Sequence, residues 1–114
     1  MAEIRENTAV MAEVERDLRQ YRVFRSLHRM REASGDASAG ECLLLQLRMR
    51  EIERSVRALP MCRERVLLDM HYLADESMEG CAELLGVSRA TAYRLKRRGL
   101  ALLAARQKGF SAHA

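Results

Sequence analysis

At 114 residues the chain suits one domain, or a small domain with a helical extension, and not two full domains. Apolar residues make up 48%, yet aromatics are only 4% and proline occurs once, which favours an all-α fold over a β-sandwich. The formal charge of +4 is segregated: residues 1–83 hold 13 arginines and all 16 acids, a net −3, whereas residues 84–114 hold seven Lys or Arg and no acid, a net +7.

A one-signed segment of that kind attracts polyanions. Several other classes are set aside by what the chain lacks. No run of about 18 apolar residues is present to span a bilayer, so no membrane partner is expected. Glu3, Arg5 and Glu6 stand where a signal peptide needs a basic and then apolar run, and the expected location is the cytosol. Cys42, Cys62 and Cys81 are odd in number and widely spaced, and read as buried apolar side chains rather than a disulfide framework or a metal clip. His28, His71 and His113 are equally scattered. No catalytic constellation, metal site or cofactor site is written in this pattern, and no enzyme activity is expected.

In chain order, residues 4–33 read as one long amphipathic helix, because Met11, Val14, Leu18, Tyr21, Phe24 and Leu27 recur every three or four positions. "ASGDASAG", residues 33–40, then reads as a loop of small and turn-forming residues. Residues 41–59 carry Cys42, Leu45, Met49, Ile52, Val56 and Leu59 at alternating three- and four-residue steps, the seam of a coiled coil. The two stripes bury themselves either against each other, as an antiparallel hairpin, or against a second copy of the chain, as a homodimer through helices 4–33 and 41–59; the pattern admits both. The expected organisation is therefore a helical segment over 1–59, a second unit over 60–108 and a tail over 109–114.

Pro60 is expected in the first turn of the next helix, where its missing N–H would have no partner. Val66, Leu67, Met70 and Leu73 form that helix's buried face. Ser77 is placed to cap a short helix, "MEGCAELL", with Met78, Cys81, Ala82 and Leu85 inward, and Gly86 to stop it in a left-handed cap. Ser88 caps a further helix, 89–103, in which Ala92, Leu95, Gly99 and Leu102 are expected to face inward. A short helix, a glycine turn and a capped second helix, with small Ala82 where the two cross and Val87 beneath the turn, have helix-turn-helix spacing. The residues expected on the DNA-facing side are Ser88, Arg89, Ala90, Thr91, Tyr93, Arg94, Lys96, Arg97 and Arg98. Arginines near the start of such a helix are what a major groove accepts, and the partner they imply is double-stranded DNA.

Residues 58–103 carry Leu59-Pro60, Arg65-Val66-Leu67, Tyr72-Leu73, Ala82, Leu85-Gly86, Ser88, Tyr93-Arg94 and the closing 100–103 stretch. This set resembles the region-four helix-turn-helix of sigma-70-type factors, especially in phage and prophage transcriptional regulators of the RinA and ArpU kind. The resemblance implies a sequence-specific regulator of transcription, with RNA polymerase as a further candidate partner. Gly80 and Cys81 depart from the pattern, the glycine at a helix-interior cost of about 1 kcal/mol. A chain of this length leaves no promoter-melting domain and no aromatic cluster for unpaired bases, so it is expected to sit on duplex DNA without opening it. Two other readings remain: a sigma-like adaptor of RNA polymerase, and a small terminase-like DNA-packaging protein, in which the DNA module generally comes first rather than last.

Overall fold

Apolar residues at three- and four-residue steps need a wall to bury against, and the fold is a set of helices supplying such walls to one another. The computed structural model describes residues 2–35 and 39–112, with side chains for 8–35 and 40–106. Among the described residues there are five helices and no strand. The first, α1 (Ala2–Ser34), buries Val14, Leu18 and Tyr21 and half-buries Met11 and Phe24, whereas Leu27 is 39% exposed and leaves the expected stripe. Gly35, at φ 69°, closes the helix by donating its N–H to the Arg31 carbonyl at 3.2 Å. The connection is shorter than residues 33–40, and its positions 36–38 lie outside the described residues.

The second helix, α2 (Ala39–Arg57), starts and stops two residues earlier than expected. It runs antiparallel to α1, as three cross-contacts in reversed order show: Arg31 with Glu41, the Gln46 amide donating to His28 Nε2 at 3.1 Å, and the Tyr21 hydroxyl donating to Glu53 at 2.7 Å. Val56 is fully buried, Met49 and Ile52 pack against the same cluster, and Cys42 and Leu45 are half-buried. The seam is thus turned inward.

Pro60 does not open the next helix. It lies in a loop, and α3 begins at Arg63 after a Cys62 that makes no side-chain cap. The proline acts on α2 instead: the residue before a proline is pushed out of the helical region, so α2 ends and Leu59 folds in at 2% exposure. The helix α3 (Arg63–Leu68) continues as a wider π-helical turn, residues Asp69–Leu73, with the Ala74 N–H reaching back to the Asp69 carbonyl at 2.9 Å. One extra residue in that turn lets neighbours Tyr72 and Leu73 both point inward. The expected face, Val66, Leu67, Met70 and Leu73, is therefore corrected: Val66 and Met70 are half-buried, and Leu68 and Tyr72 join Leu67 and Leu73 in the interior.

A short helix, α4 (Met78–Leu85), and a long one, α5 (Arg89–Ala112), follow. The helix α5 extends beyond 103 and takes up positions 109–112 of the expected tail, whereas His113 and Ala114 lie outside the described residues. Its inward face is corrected as well. Ala92, Leu95 and Gly99 are buried, but Leu102 is 40% exposed, and Leu100, Leu103 and Ala104 are buried instead. The 100°-per-residue rotation explains the change: Leu95 and Gly99 face α3 and α4, and the next turn is covered on its other side by α1.

Among the described residues the interior has two clusters. Leu67, Met78, Cys81, Ala82, Ala92 and Leu95 form one, between α3, α4 and α5. The other joins Val14, Leu18 and Tyr21 of α1 to Val56, Leu59, Leu68, Tyr72, Leu73, Leu100, Leu103 and Ala104, and so draws on both sides of Pro60. Adjacent Leu67 and Leu68 stitch the two clusters together. Gly99 allows the close crossing of α3 and α5, because a Cβ there would stand 2.9 Å from Leu68 Cδ1 and 3.3 Å from the Glu64 carbonyl oxygen.

Two outcomes follow for stability. Gly99→Ala overpacks that crossing and is expected to destabilise by about 1–3 kcal/mol, read as a lowered midpoint in thermal unfolding. Leu18→Ala removes a buried side chain shared by α1 and α5, and is expected to cost about 2–5 kcal/mol while unfolding stays a single transition by circular dichroism. Separate melting of residues 60–112 in that variant would show that the second cluster does not bind the halves into one unit.

Candidate nucleic-acid interface

The segment from Ser77 to Arg98 is organised by three local devices. The Ser77 hydroxyl accepts the Gly80 N–H at 3.0 Å and caps α4. This puts Gly80 in the first turn rather than the helix interior, where a Cβ would also run into the Glu76 carboxylate. At the other end, Gly86 sits at φ 67° and ψ 34°, and the Val87 N–H bonds the Ala82 carbonyl at 3.0 Å, the paired closure of a left-handed helix stop. Ser88 then caps α5 by accepting the Thr91 N–H at 3.1 Å. Ala82, Ala92 and Leu95 are buried together between the two helices, with Val87 packed against them.

These devices fix which side chains α5 turns to solvent. Arg89, Ala90, Tyr93, Arg94, Arg97 and Arg98 are exposed, as is Ser88. The Ser88 hydroxyl is already engaged, donating to Thr91 Oγ1 at 2.9 Å, and Thr91 is half-buried, so both serve the cap. Arg89 lies 3.4 Å from Glu79 of α4, with both side chains largely exposed, and a pair of that kind contributes about 0–1 kcal/mol.

Lys96 departs from the expected outward set. Its side chain is 20% exposed, and its ammonium lies 3.4 Å from Glu15 Oε2 of α1 and 5.5 Å from the centre of the Tyr93 ring. The physical reason is packing. The residues flanking it on the helix, Ala92 and Leu100, are buried, which turns Lys96 toward the edge along which α1 passes.

Glu15 is the neighbour of this face that the sequence pattern did not reveal. Its carboxylate accepts the Tyr72 hydroxyl at 2.6 Å and an Arg19 N–H at 3.2 Å, and meets Lys96. Burial opposes its ionisation, but the Tyr72 hydroxyl, Lys96 and Arg19 together outweigh burial and hold the carboxyl below its ordinary value of 4.5. The same contact, with burial first, pushes the Tyr72 hydroxyl far up from its ordinary value. Across the α1–α2 pair, burial and Glu53 push Tyr21 up to about 12. Only the Arg19 contact, at a four-residue step, was legible locally; Lys96 and Tyr72 are brought in by tertiary packing.

Around this face, the Arg25 guanidinium donates to the Leu73 carbonyl at 2.7 Å and lies 3.8 Å from Asp75, which Arg22 also meets. Asp75 has φ 61°, a left-handed conformation in which a non-glycine residue is strained, and the two arginines of α1 hold its side chain. Arg106 is also exposed, whereas the side chain of Lys108, the last of the seven C-terminal cations, lies outside the described residues. Among the described residues no group of His, Cys, Asp or Glu could hold a metal ion, and no helix is long and apolar enough to cross a membrane. No family model, curated protein or solved structure matches this chain.

The Glu15 network carries a pH dependence. Its folded-state carboxyl is depressed, so the stability it contributes is complete above the ordinary value of 4.5 and is lost as pH falls through the folded value. Glu15→Gln should therefore lie below wild type in thermal midpoint at neutral pH, with the gap closing in acid. A gap that stays constant with pH would show that the carboxylate's charge is not what matters.

Proposed function

We propose that this chain binds double-stranded DNA in a sequence-specific manner and regulates transcription, with the N-terminal turns of α5 lying in the major groove as the second helix of a helix-turn-helix. The observation that carries the reading is the outward face of α5, where Arg94, Arg97 and Arg98 are exposed without an acid among residues 84–114. The Ser77 cap, the left-handed Gly86 and the Ser88 cap support it, because they aim that face as helix-turn-helix modules do. A merely solvated basic helix would not require these devices to coincide. The resemblance to sigma-70 region four, and to phage regulators of the RinA and ArpU kind, belongs to the same proposal. Contact with RNA polymerase is its adaptor form.

A homodimer is a further part of the reading. It would not use Met49, Ile52 and Val56 of the seam, since these pack in the cluster shared with α1; exposed apolar residues open to it on the same two helices include Val23, Leu27 and Met30 on α1 and Leu43, Leu44 and Leu47 on α2.

Selection from a random duplex pool, followed by titration, tests the proposal. Arg94→Ala is expected to weaken the selected duplex by about 1–3 kcal/mol more than random duplex, the discrimination of one bidentate arginine–guanine contact. Equal loss on both would reassign Arg94 to a phosphate. With about four to six phosphates contacted, log K against log[salt] should fall with a slope of about −4 to −5, and a flat response would remove the electrostatic footprint altogether. A palindromic selected site with a complex of two chains would support the dimer.

A further inference from the structure

We propose that α1 carries a second contact to the duplex, in which Arg19 meets a backbone phosphate beside the groove entered by α5. The inference rests on the DNA reading above and extends it to a helix outside the helix-turn-helix. Glu15, Arg19 and Arg22 fall on one edge of α1, at steps of four and three residues. Two of them are anchored to neighbouring elements: Glu15 lies 3.4 Å from Lys96 of α5, and Arg22 meets Asp75 in the turn before α4. Arg19 lies between those anchors, so its place relative to α5 is fixed by the fold.

Its chemistry suits a phosphate. The side chain is 69% exposed, and it donates one N–H to Glu15 at 3.2 Å. A guanidinium has five such donors in a rigid fork, which leaves the others for an acceptor outside the chain. The single carboxylate of Glu15 stands between two cations, Arg19 and Lys96, and the edge keeps a net positive charge. Beyond Lys96 comes the Tyr93 ring at 5.5 Å, itself 39% exposed on the outward face. Contacts thus run without a break from Arg19 through Glu15 and Lys96 to Tyr93, joining the α1 edge to the face proposed to read DNA. A tethered, exposed guanidinium at the margin of a reading helix matches the repeating phosphates of a duplex, which need point charge and donors but no sequence information.

The test is a binding titration of the full chain on its selected duplex and on random duplex, over about 50 to 300 mM salt, where counterion release is read. Arg19→Ala is expected to weaken both duplexes by the same factor and to make the log–log salt slope shallower by about 0.9, the value for one phosphate. Arg19→Lys should keep the wild-type slope, and Arg48→Ala, on the exposed side of α2, should change neither affinity nor slope. Wild-type affinity and slope in Arg19→Ala overturn the proposal while the DNA reading stands, and so does a loss confined to the selected duplex, which would mean a base contact. Absence of duplex binding by the wild-type chain overturns both.

Discussion

The burial of one stripe of α1, Val14, Leu18 and Tyr21, sets how α2, the π-turn and α5 stand to one another. A long, mostly polar helix gains little by itself, since helix stability in water comes chiefly from packing an apolar face. Here that face is shared. Tyr21 is covered with Val56 at the end of α2 and Leu59 just beyond it, and the same cluster takes in Leu100, Leu103 and Ala104 of α5. The helix α1 is therefore a common wall, and the segment proposed to touch DNA is built on it rather than hung beside it.

Polar contacts then set orientation within that packing. Glu15, Arg22 and Arg25 tie α1 to α5, to the π-turn and to the strained Asp75. Their magnitudes decide the order of importance. Exposed pairs contribute about 0–1 kcal/mol, whereas each large buried apolar side chain contributes about 1.5–3 kcal/mol, so the leucines hold α5 and the charges aim it. The Glu15 carboxylate is the exception in kind, because it is half-buried and receives a hydroxyl as well as two cations.

Local signals were legible in the sequence wherever one residue type answers one local demand. Ser77, Gly86 and Ser88 did so: two hydroxyl caps and a left-handed stop depend only on neighbouring backbone groups. The α2 seam was legible for a similar reason, its period being a property of one helix. What periodicity could not reveal was any change of period or of wall. The π-turn inserts a residue and brings Tyr72 inward; Pro60 acts on the helix before it; and the inward face of α5 rotates from Gly99 to Leu100, Leu103 and Ala104 because α1 covers it from another side. Lys96 shows the same limit at the candidate site. Its charge places it with the other cations in sequence, and only the passage of α1 turns it toward Glu15.

The separation of these two roles has a physical consequence for how salt acts on the molecule. The fold rests on apolar burial, which salt does not screen, and on a few ion pairs whose loss costs little. The outward face of α5 rests on the opposite balance. Arg94, Arg97 and Arg98 are exposed, and the phosphate contacts proposed for this segment would act through release of counterions, which falls steeply as salt rises. The pair of Glu15 with Lys96 stands between these regimes: with side chains 23% and 20% exposed it is more sheltered from screening than the outer arginines, and it ties α1 to α5. Ionic strength should thus act on the proposed binding while leaving the geometry of the α5 face in place, because the forces that build the face and those it would use are of different kinds.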